Sequence, residues 1–459
     1  LLRLETLEQS FEELYERNDL EFINLVNTYC NYKDDDNLKE MILKIYKYIQ
    51  SMPFPLEWLK EQVEKFNTKE EKDFSETEWG KILIENGKEI ITDNIKELIQ
   101  ISNNLKKDED LIKWKMIIDE DISNLENLLK TNTWDEIYSK LTDIKFKTWA
   151  QDKKIISEIK DEAKERRDKV KAQINDLKNK IFLYSSKQAN KDIYEMYRIL
   201  ASIENLIEKF SNDYQKAKKE KNVIDFSDME HLALKILIEK DELGNYVPTE
   251  IAEKYQEKFE EIAIDEYQDS NEIQEYLLNT ISRGNNIFMV GDVKQSIYKF
   301  RQSRPELFIE KYNTYEDNKI QLYANFRSRN NILNLTNIIF ENIMSKNFGN
   351  IEYDESEFLN AGLEYPKEDR KLLDTIPELN LIDLNNEENE SNEELKIENT
   401  VLEAKFVANR INELMNDDYY VFDKKVGYRK LQLKDIVILL RKTTNIASIY
   451  EKEITNLGY

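Results

Sequence analysis

Two short apolar runs that both end in polar residues constrain this 459-residue chain more than any other feature. The first run, 262–264, is followed at once by the carboxylates of Asp265 and Glu266. The second run, 287–290, ends in a Gly-Asp pair. We predict that both are buried parallel strands. Open α/β sheets bind ligands at the carboxyl ends of such strands, so the pattern predicts a ligand site where the two runs end.

The adjacent carboxylates of Asp265 and Glu266 suit Mg²⁺–nucleotide chemistry at a strand end. One carboxylate can hold the metal, usually through its water shell, while the other orients an attacking water. An isolated Asp-Glu pair is more often a solvated surface charge, or here a cap on the following helix. The second strand-end motif downstream favours the nucleotide interpretation, although the residues alone leave both readings open.

Several segments resemble motifs of the superfamily 1A DNA helicases, the UvrD/RecB-like family. Asp-Glu-Tyr-Gln-Asp-Ser-Asn at 265–271 resembles motif II, the segment 290–301 resembles motif III, and Tyr-Ala-Asn-Phe-Arg-Ser-Arg at 323–329 resembles motif IV. Residues 223–234 resemble the segment that re-enters the first motor domain after a helical insertion. The sequence after motif III, 302–308, makes the helicase–nuclease subunits of AddAB-type recombination complexes the most similar branch.

The resemblance implies a role in ATP hydrolysis for four side chains. Asp265 would hold Mg²⁺ and bind the cofactor, and Glu266 would be the catalytic base. Gln295 would sense the γ-phosphate of ATP, and Arg327 would contact it from the second motor domain. Gln295 and Arg327 therefore count as both catalytic and ATP-binding. Gln268, in motif II, is expected to organise its loop.

The resemblance also implies a DNA contact just after the γ-phosphate sensor. Phe300 would be a base-stacking platform, Tyr298 would neighbour nucleotide or DNA, and Arg301 would hold a phosphate. An aromatic face can stack on any base, as a translocating motor requires. From the residues alone, Tyr298 and Phe300 could instead be core aromatics, and Arg301 could pair with a nearby carboxylate.

The predicted fold class is α/β with a large all-helical insertion, built on two partial RecA-like P-loop NTPase motor domains. Residues 1–221 have apolar residues at helical spacing and few glycines, and resemble the helical domain 1B. Residues 222–310 would form the carboxy-terminal part of domain 1A, with motifs II and III. Residues 311–459 would form the amino-terminal part of domain 2A, with motif IV.

Finer patterns predict individual elements of the two motor domains. Asn271, with Gln274 three residues later, is a candidate helix cap. The polar, acidic segment 385–394 is predicted to be a mobile loop. The predicted helices are 248–259 and 271–281, and the predicted strands are 261–265, 286–290, 319–323, 379–384 and 435–440.

Composition narrows the class of protein. The formal net charge of −25 argues against a generally basic nucleic-acid-binding domain. Basic residues outnumber acidic ones at 151–222 and 281–346, which could give a local lining for phosphates or reflect chance variation between helix faces. Cys30 and His231 are single and cannot build a zinc or iron–sulfur site. A lone cysteine fits a reducing, cytoplasmic location, and no apolar stretch has the ~20 residues of a membrane span.

The sequence contains no Gly-x-x-x-x-Gly-Lys-Ser/Thr, the loop that cradles nucleotide phosphates. We therefore expect an internal fragment of a larger helicase, one that alone hydrolyses ATP negligibly. The resemblance implies an ATP-dependent 3′–5′ DNA helicase/exonuclease subunit. Such a protein would process single- and double-stranded DNA ends for recombinational repair, with an AddB-like partner and no membrane contact. Two alternatives stay open: a stand-alone UvrD/Rep-like repair helicase without a nuclease, and a non-catalytic helical DNA-binding scaffold.

Overall fold

A computed structural model describes the chain except residues 32–33, 69–71, 152–154, 350, 367–376 and 384–392. The chain divides into two compact units, Leu1–Tyr315 and Glu316–Tyr459. Among the described residues, no helix combines the length and the apolar character that crossing a membrane requires. The domain boundaries predicted between 221 and 222 and between 310 and 311 stay predictions. The predicted cytoplasmic location also stays a prediction.

The first unit begins with nine helices in the described residues, and these carry two separate hydrophobic cores. The longest, α9, has 36 residues, and by the helical rise it spans about 54 Å. The bounds are α1 Leu2–Glu16, α2 Leu20–Tyr29, α3 Asp36–Ile49, α4 Pro55–Glu64, α5 Glu78–Leu105, α6 Ile112–Leu129, α7 Trp134–Asp143, α8 Glu158–Asp176 and α9 Ser186–Lys221.

The first core forms where α1–α4 pack against the carboxy-terminal half of α9. Leu7, Phe11 and Leu14 are three members of the apolar stripe on α1, and they lie on its buried face. Tyr46 and Phe210 meet edge to face at the centre, with ring centroids 5.0 Å apart. The second core lies between α5, α6, α7 and α8 and contains the fully buried Trp114. The residues predicted as one helical insertion therefore hold two cores.

The rest of the first unit alternates helices and short strands. Strands β3 and β4 are parallel, with Ile262 opposite Ile287 and Ile264 opposite Met289, as predicted. Strands β1 and β2 form an antiparallel hairpin that no sequence pattern predicted. The bounds are α10 Phe226–Leu237, β1 Ile238–Lys240, β2 Tyr246–Pro248, α11 Glu250–Lys258, β3 Ile262–Ile264, α12 Glu272–Ile281, β4 Ile287–Met289 and α13 Pro305–Thr314.

The prediction that β3 and β4 are buried is wrong. Ala263 is exposed on β3, and Phe288 on β4 is 52% exposed. Parallel strands are buried where helices cover both faces of their sheet. Within the described residues this sheet has two strands, and its middle residues are left exposed. The parallel pairing itself is what brings the two carboxyl ends to one edge.

The second unit contains small two-stranded sheets and four helices in its described residues. Strands β5 and β6 are parallel, and β7 and β8 form an antiparallel hairpin. The bounds are β5 Ala324–Asn325, α14 Asn330–Ile343, α15 Lys346–Gly349, β6 Asn360–Ala361, α16 Glu393–Asn416, β7 Tyr420–Asp423, β8 Gly427–Lys430 and α17 Ala447–Asn456.

Three predicted strands of the second unit are wrong. Residues 319–323, 379–383 and 435–440 form no strand, and residue 384 lies outside the described part. Apolar residues in them are exposed, as Leu322 and Leu439 show. An apolar segment can favour an extended backbone, but a strand also needs a hydrogen-bonded neighbour. Most of the loop predicted at 385–394 lies outside the described residues, and its last two residues belong to α16.

Candidate functional site

The loops that follow β3 and β4 lie side by side because their strands are parallel neighbours. We call them the β3 loop (265–271) and the β4 loop (290–301). The Val290 amide donates to the Ile264 carbonyl at 2.8 Å, and the Tyr267 amide donates to the Val290 carbonyl at 2.9 Å. These bonds extend the strand pairing into the loops, so the polar residues of both loops occupy one edge of the sheet.

The two carboxylates predicted to act on the nucleotide are both exposed at this edge. The Asp265 carboxylate accepts a hydrogen bond from the Glu266 amide at 3.0 Å. Glu266 has φ 51° and ψ 42°, the left-handed conformation that is uncommon for residues other than glycine. Such strain costs about 1–3 kcal/mol and persists only where the surroundings enforce it. Here the Asp269 amide also bonds the Glu266 carbonyl at 2.9 Å.

Gln268 connects the two loops through its side-chain amide. Its Nε2 donates to Glu266 Oε2 at 2.7 Å, and its Oε1 accepts from the Asp292 amide at 3.0 Å. The side chain is buried, with 1% of its surface exposed. Gln268 therefore organises the β3 loop, as predicted, and it also reaches the β4 loop, which no sequence pattern indicated.

Tyr267 anchors the β3 loop from below. It is fully buried, its hydroxyl donates to Glu275 on α12, and its ring meets that of Phe308 at 5.6 Å. Burial raises the pKa of Tyr267. Burial alone would also raise the pKa of Glu275, but hydrogen bonds from Lys311 and Tyr267 outweigh it and lower that pKa. Contacts with Glu275 on α12 and Phe308 on α13 therefore hold the β3 loop in place at Tyr267.

Asn271 ends the β3 loop and begins α12, as predicted. Its side chain accepts from the Gln274 amide at 3.0 Å, and the Gln274 side chain accepts from the Asn271 amide at 3.4 Å. This capping box satisfies two amides at the helix start and confirms the cap. Asp265 and Glu266 do not cap α12, so the helix-cap alternative for this carboxylate pair is wrong.

Gln295, the predicted γ-phosphate sensor, lies in the β4 loop close to the carboxylate of Asp292. Its Nε2 donates to Asp292 Oδ2 at 3.0 Å, and the residue is exposed. Asp292 also caps the short turn 293–295 by accepting from the Lys294 amide at 3.0 Å. The sensor candidate and the backbone that Gln268 contacts therefore belong to the same short turn.

The aromatic pair after this turn is at the surface. Phe300 is 65% exposed and Tyr298 is half-buried, with ring centroids 5.7 Å apart. The Arg301 guanidinium lies over both rings, 5.0 Å from the Tyr298 centroid and 5.8 Å from the Phe300 centroid. The core-aromatic alternative is wrong for Phe300, because a core ring would be buried.

Arg327 lies in the second unit, in the turn that follows β5. The Asn325 side chain accepts from the amides of Arg327 and Ser328, both at 2.9 Å, and fixes this turn. The Arg327 side chain is exposed, whereas Arg329 stacks on Tyr365 with 3.5 Å between guanidinium carbon and ring centroid. Of the two arginines, Arg327 is the one that stays available for an anionic ligand.

Comparison with known proteins places these loops in a family. A family model described as the UvrD/REP helicase N-terminal domain matches residues 54–316, more than half of the chain. This chain belongs to the UvrD/REP helicase family. The matched residues include both the β3 loop and the β4 loop, so the family resemblance that the motifs predicted is confirmed.

Several curated relatives, all named as one subunit of an ATP-dependent helicase/nuclease, align along the whole chain. The relative from Clostridium acetobutylicum is 38% identical over 487 residues, covering 100% of this chain and 39% of that protein. The protein of the same name from Clostridioides difficile is 38% identical over 505 residues, covering 100% and 39%. That from Clostridium beijerinckii is 39% identical over 474 residues, covering 97% and 38%. The chain spans about two fifths of the length of these relatives.

Proposed function

We propose that the full-length protein is an ATP-dependent DNA helicase/nuclease subunit. It would move 3′ to 5′ on single strands and process double-strand ends for recombinational repair, beside an AddB-like partner. One observation carries the helicase part of this proposal. Two neighbouring parallel strands of a UvrD/REP helicase family member present exposed Asp265, Glu266 and Gln295 at one edge of their sheet. The nuclease follows from the names of the relatives, and the AddB-like partner follows from the motif resemblance.

The donor set at the β3 loop fits Mg²⁺ with ATP. Asp265 offers an exposed carboxylate, the hard oxygen ligand that Mg²⁺ takes singly or in pairs beside water and phosphate oxygens. Asp265 would hold the metal, and Gln295 and Arg327 would contact the γ-phosphate. When bound, Mg²⁺ neutralises charge on the phosphates. Glu266 would orient the attacking water and accept its proton, with its carboxylate held by Gln268.

The test is steady-state ATP hydrolysis by the full-length protein, with and without single-stranded DNA. We expect DNA to stimulate turnover to the range of ordinary enzymes, about 1–10³ s⁻¹. Tight DNA binding with no ATP turnover under either condition would contradict the proposal and favour the scaffold alternative. A protein that hydrolyses ATP and unwinds DNA but never degrades it would favour the stand-alone helicase.

Phe300→Ala in the full-length protein should weaken single-stranded DNA binding by about 1–3 kcal/mol, since the exposed ring offers a face for one base. The dependence of affinity on salt should stay unchanged, because stacking releases no counterions. Fluorescence titrations at several salt concentrations measure both quantities.

Ile297→Ala is the matched control for Phe300→Ala. Ile297 is also in the β4 loop and 71% exposed, but it has no aromatic face. Its truncation should leave DNA affinity unchanged. Equal losses for the two variants, or a large drop in the melting temperature of Phe300→Ala with normal affinity, would contradict the stacking role.

A further inference from the structure

The amide of Gln268 makes two hydrogen bonds at once, one as a donor and one as an acceptor. Its Nε2 donates to the Glu266 carboxylate at 2.7 Å, while its Oε1 accepts from the Asp292 amide at 3.0 Å. A carboxylate side chain could accept from Asp292 but could not donate to Glu266. An apolar side chain could do neither. The two contacts also fix the orientation of the amide. Turned by 180°, it would place its oxygen against the Glu266 carboxylate and its NH₂ group against the Asp292 N–H.

Gly291 leaves the space that the Gln268 amide occupies. A Cβ at position 291 would lie 2.5 Å from Gln268 Oε1 and 3.2 Å from the Tyr267 amide nitrogen. Gly291 has no positive φ, so the close approach and not the backbone conformation favours glycine, and a larger residue would displace the Gln268 amide from its hydrogen bonds. The β4 loop is therefore shaped around this one buried side chain.

Glu266 gains a defined side-chain position from the same contact. Its backbone is strained, with φ 51°, and its carboxylate is exposed. An exposed glutamate samples several rotamers unless a partner holds it. The buried Gln268 amide is such a partner, because its Nε2 donates to the Glu266 carboxylate. Its Oε1 accepts from the amide of Asp292, the residue that caps the turn carrying Gln295.

We propose that Gln268 is a positioning residue that holds the Glu266 carboxylate for catalysis and ties its placement to the β4 loop. This inference rests on the proposed function, in which Glu266 is the catalytic base. In this role Gln268 acts through Glu266, the group to which its Nε2 donates. Misplacing a catalytic group by about 1 Å can cost about 100-fold in rate, so loss of this contact should lower turnover without removing the base.

Gln268→Glu in the full-length protein keeps the shape and the acceptor for Asp292 and, when ionised, loses the donor to Glu266, whereas Gln268→Met loses the donor at any protonation state. Gln274→Glu is the matched control. Gln274 lies on α12, and its Nε2 also donates to a glutamate, Glu230, at 2.9 Å. This hydrogen bond involves neither Asp265 nor Glu266. Gln268→Glu and Gln274→Glu therefore both exchange a glutamine–glutamate hydrogen bond for a pair of carboxylates.

We expect Gln268→Glu to lower kcat for DNA-stimulated ATP hydrolysis by about 10- to 100-fold, with KM for ATP and nucleotide-free DNA affinity within about twofold of wild type. Gln274→Glu should leave kcat unchanged. The double variant Glu266→Gln/Gln268→Glu should be no slower than Glu266→Gln alone, because Gln268 acts only through the base. Gln268→Met, which buries no charge, should reproduce the kcat loss if Gln268→Glu folds poorly.

An unchanged kcat in Gln268→Met, which has no donor at all, would overturn the inference. So would parallel losses of kcat, ATP affinity and melting temperature in both Gln268 variants, or rate losses that add in the double variant, since these indicate a structural role. Near-normal turnover in Glu266→Gln is a different failure. It would remove the base itself and with it the proposed function, whatever Gln268 does.

Discussion

Glu266→Gln in the full-length protein is expected to abolish ATP hydrolysis and DNA unwinding while leaving nucleotide binding intact. The amide keeps the shape of the side chain but can no longer take a proton from water. Loss of a positioned general base costs about 10²–10⁴ in rate. Because Glu266 is exposed at the end of β3, and the amide oxygen of the variant can still accept from Gln268 Nε2, the fold should be unaffected. Steady-state ATP hydrolysis beside equilibrium binding of a fluorescent ATP analogue measures the two effects separately.

Glu261→Gln provides the matched control for that variant. Glu261 directly precedes β3, so the same change of charge is made at the opposite end of the same strand. Its ATP turnover should match wild type. Turnover near the wild-type rate in Glu266→Gln, with the control behaving as expected, would exclude Glu266 as the base.

Arg327→Ala should lower the ATP hydrolysis rate by about 10³-fold or more, the range seen when an arginine that stabilises phosphoryl transfer is lost. The exposed guanidinium sits in a turn fixed by Asn325, so its removal should not disturb the backbone. DNA binding without nucleotide should stay near wild type. Arg327→Lys should restore little activity, because an ammonium lacks the fork that pairs with two phosphate oxygens.

Arg329→Ala separates the two neighbouring arginines. Arg329 stacks on Tyr365, so its loss should lower the melting temperature and leave the turnover of the folded protein nearly unchanged. A stopped-flow ATPase assay and a thermal melt on the same preparations distinguish the variants. A large loss of nucleotide-free DNA affinity in Arg327→Ala would contradict its assignment to ATP.

The features that could be predicted from the sequence are those written in local patterns. The apolar runs at 262–264 and 287–290 predicted two parallel strands, and Asn271 with Gln274 predicted the helix cap. Each of these depends on residues a few positions apart, where spacing alone carries the signal. The family motifs added the roles of Glu266 and Arg327, which no spacing could supply.

The features that could not be predicted depend on contacts between distant residues. Leu322 and Leu439 lie in apolar segments that form no strand, because pairing depends on a neighbour that the local sequence does not reveal. Gln268 looked like one more polar residue of its motif, and its bond to the Asp292 amide joins residues 24 positions apart. A glycine two residues after β4 was the available signal that a side chain closes on that backbone.

Single-turnover unwinding of a blunt-ended DNA duplex by the full-length protein, with its AddB-like partner present, tests the central claim most directly. The claim is that the β3 and β4 loops form part of the ATP site that drives DNA unwinding. Strand separation should require both ATP and Mg²⁺ in the wild type and should be absent in Glu266→Gln, although that variant still binds the duplex end. Unwinding at the wild-type rate by Glu266→Gln, or duplex binding by the wild type with no ATP-dependent unwinding, would contradict it.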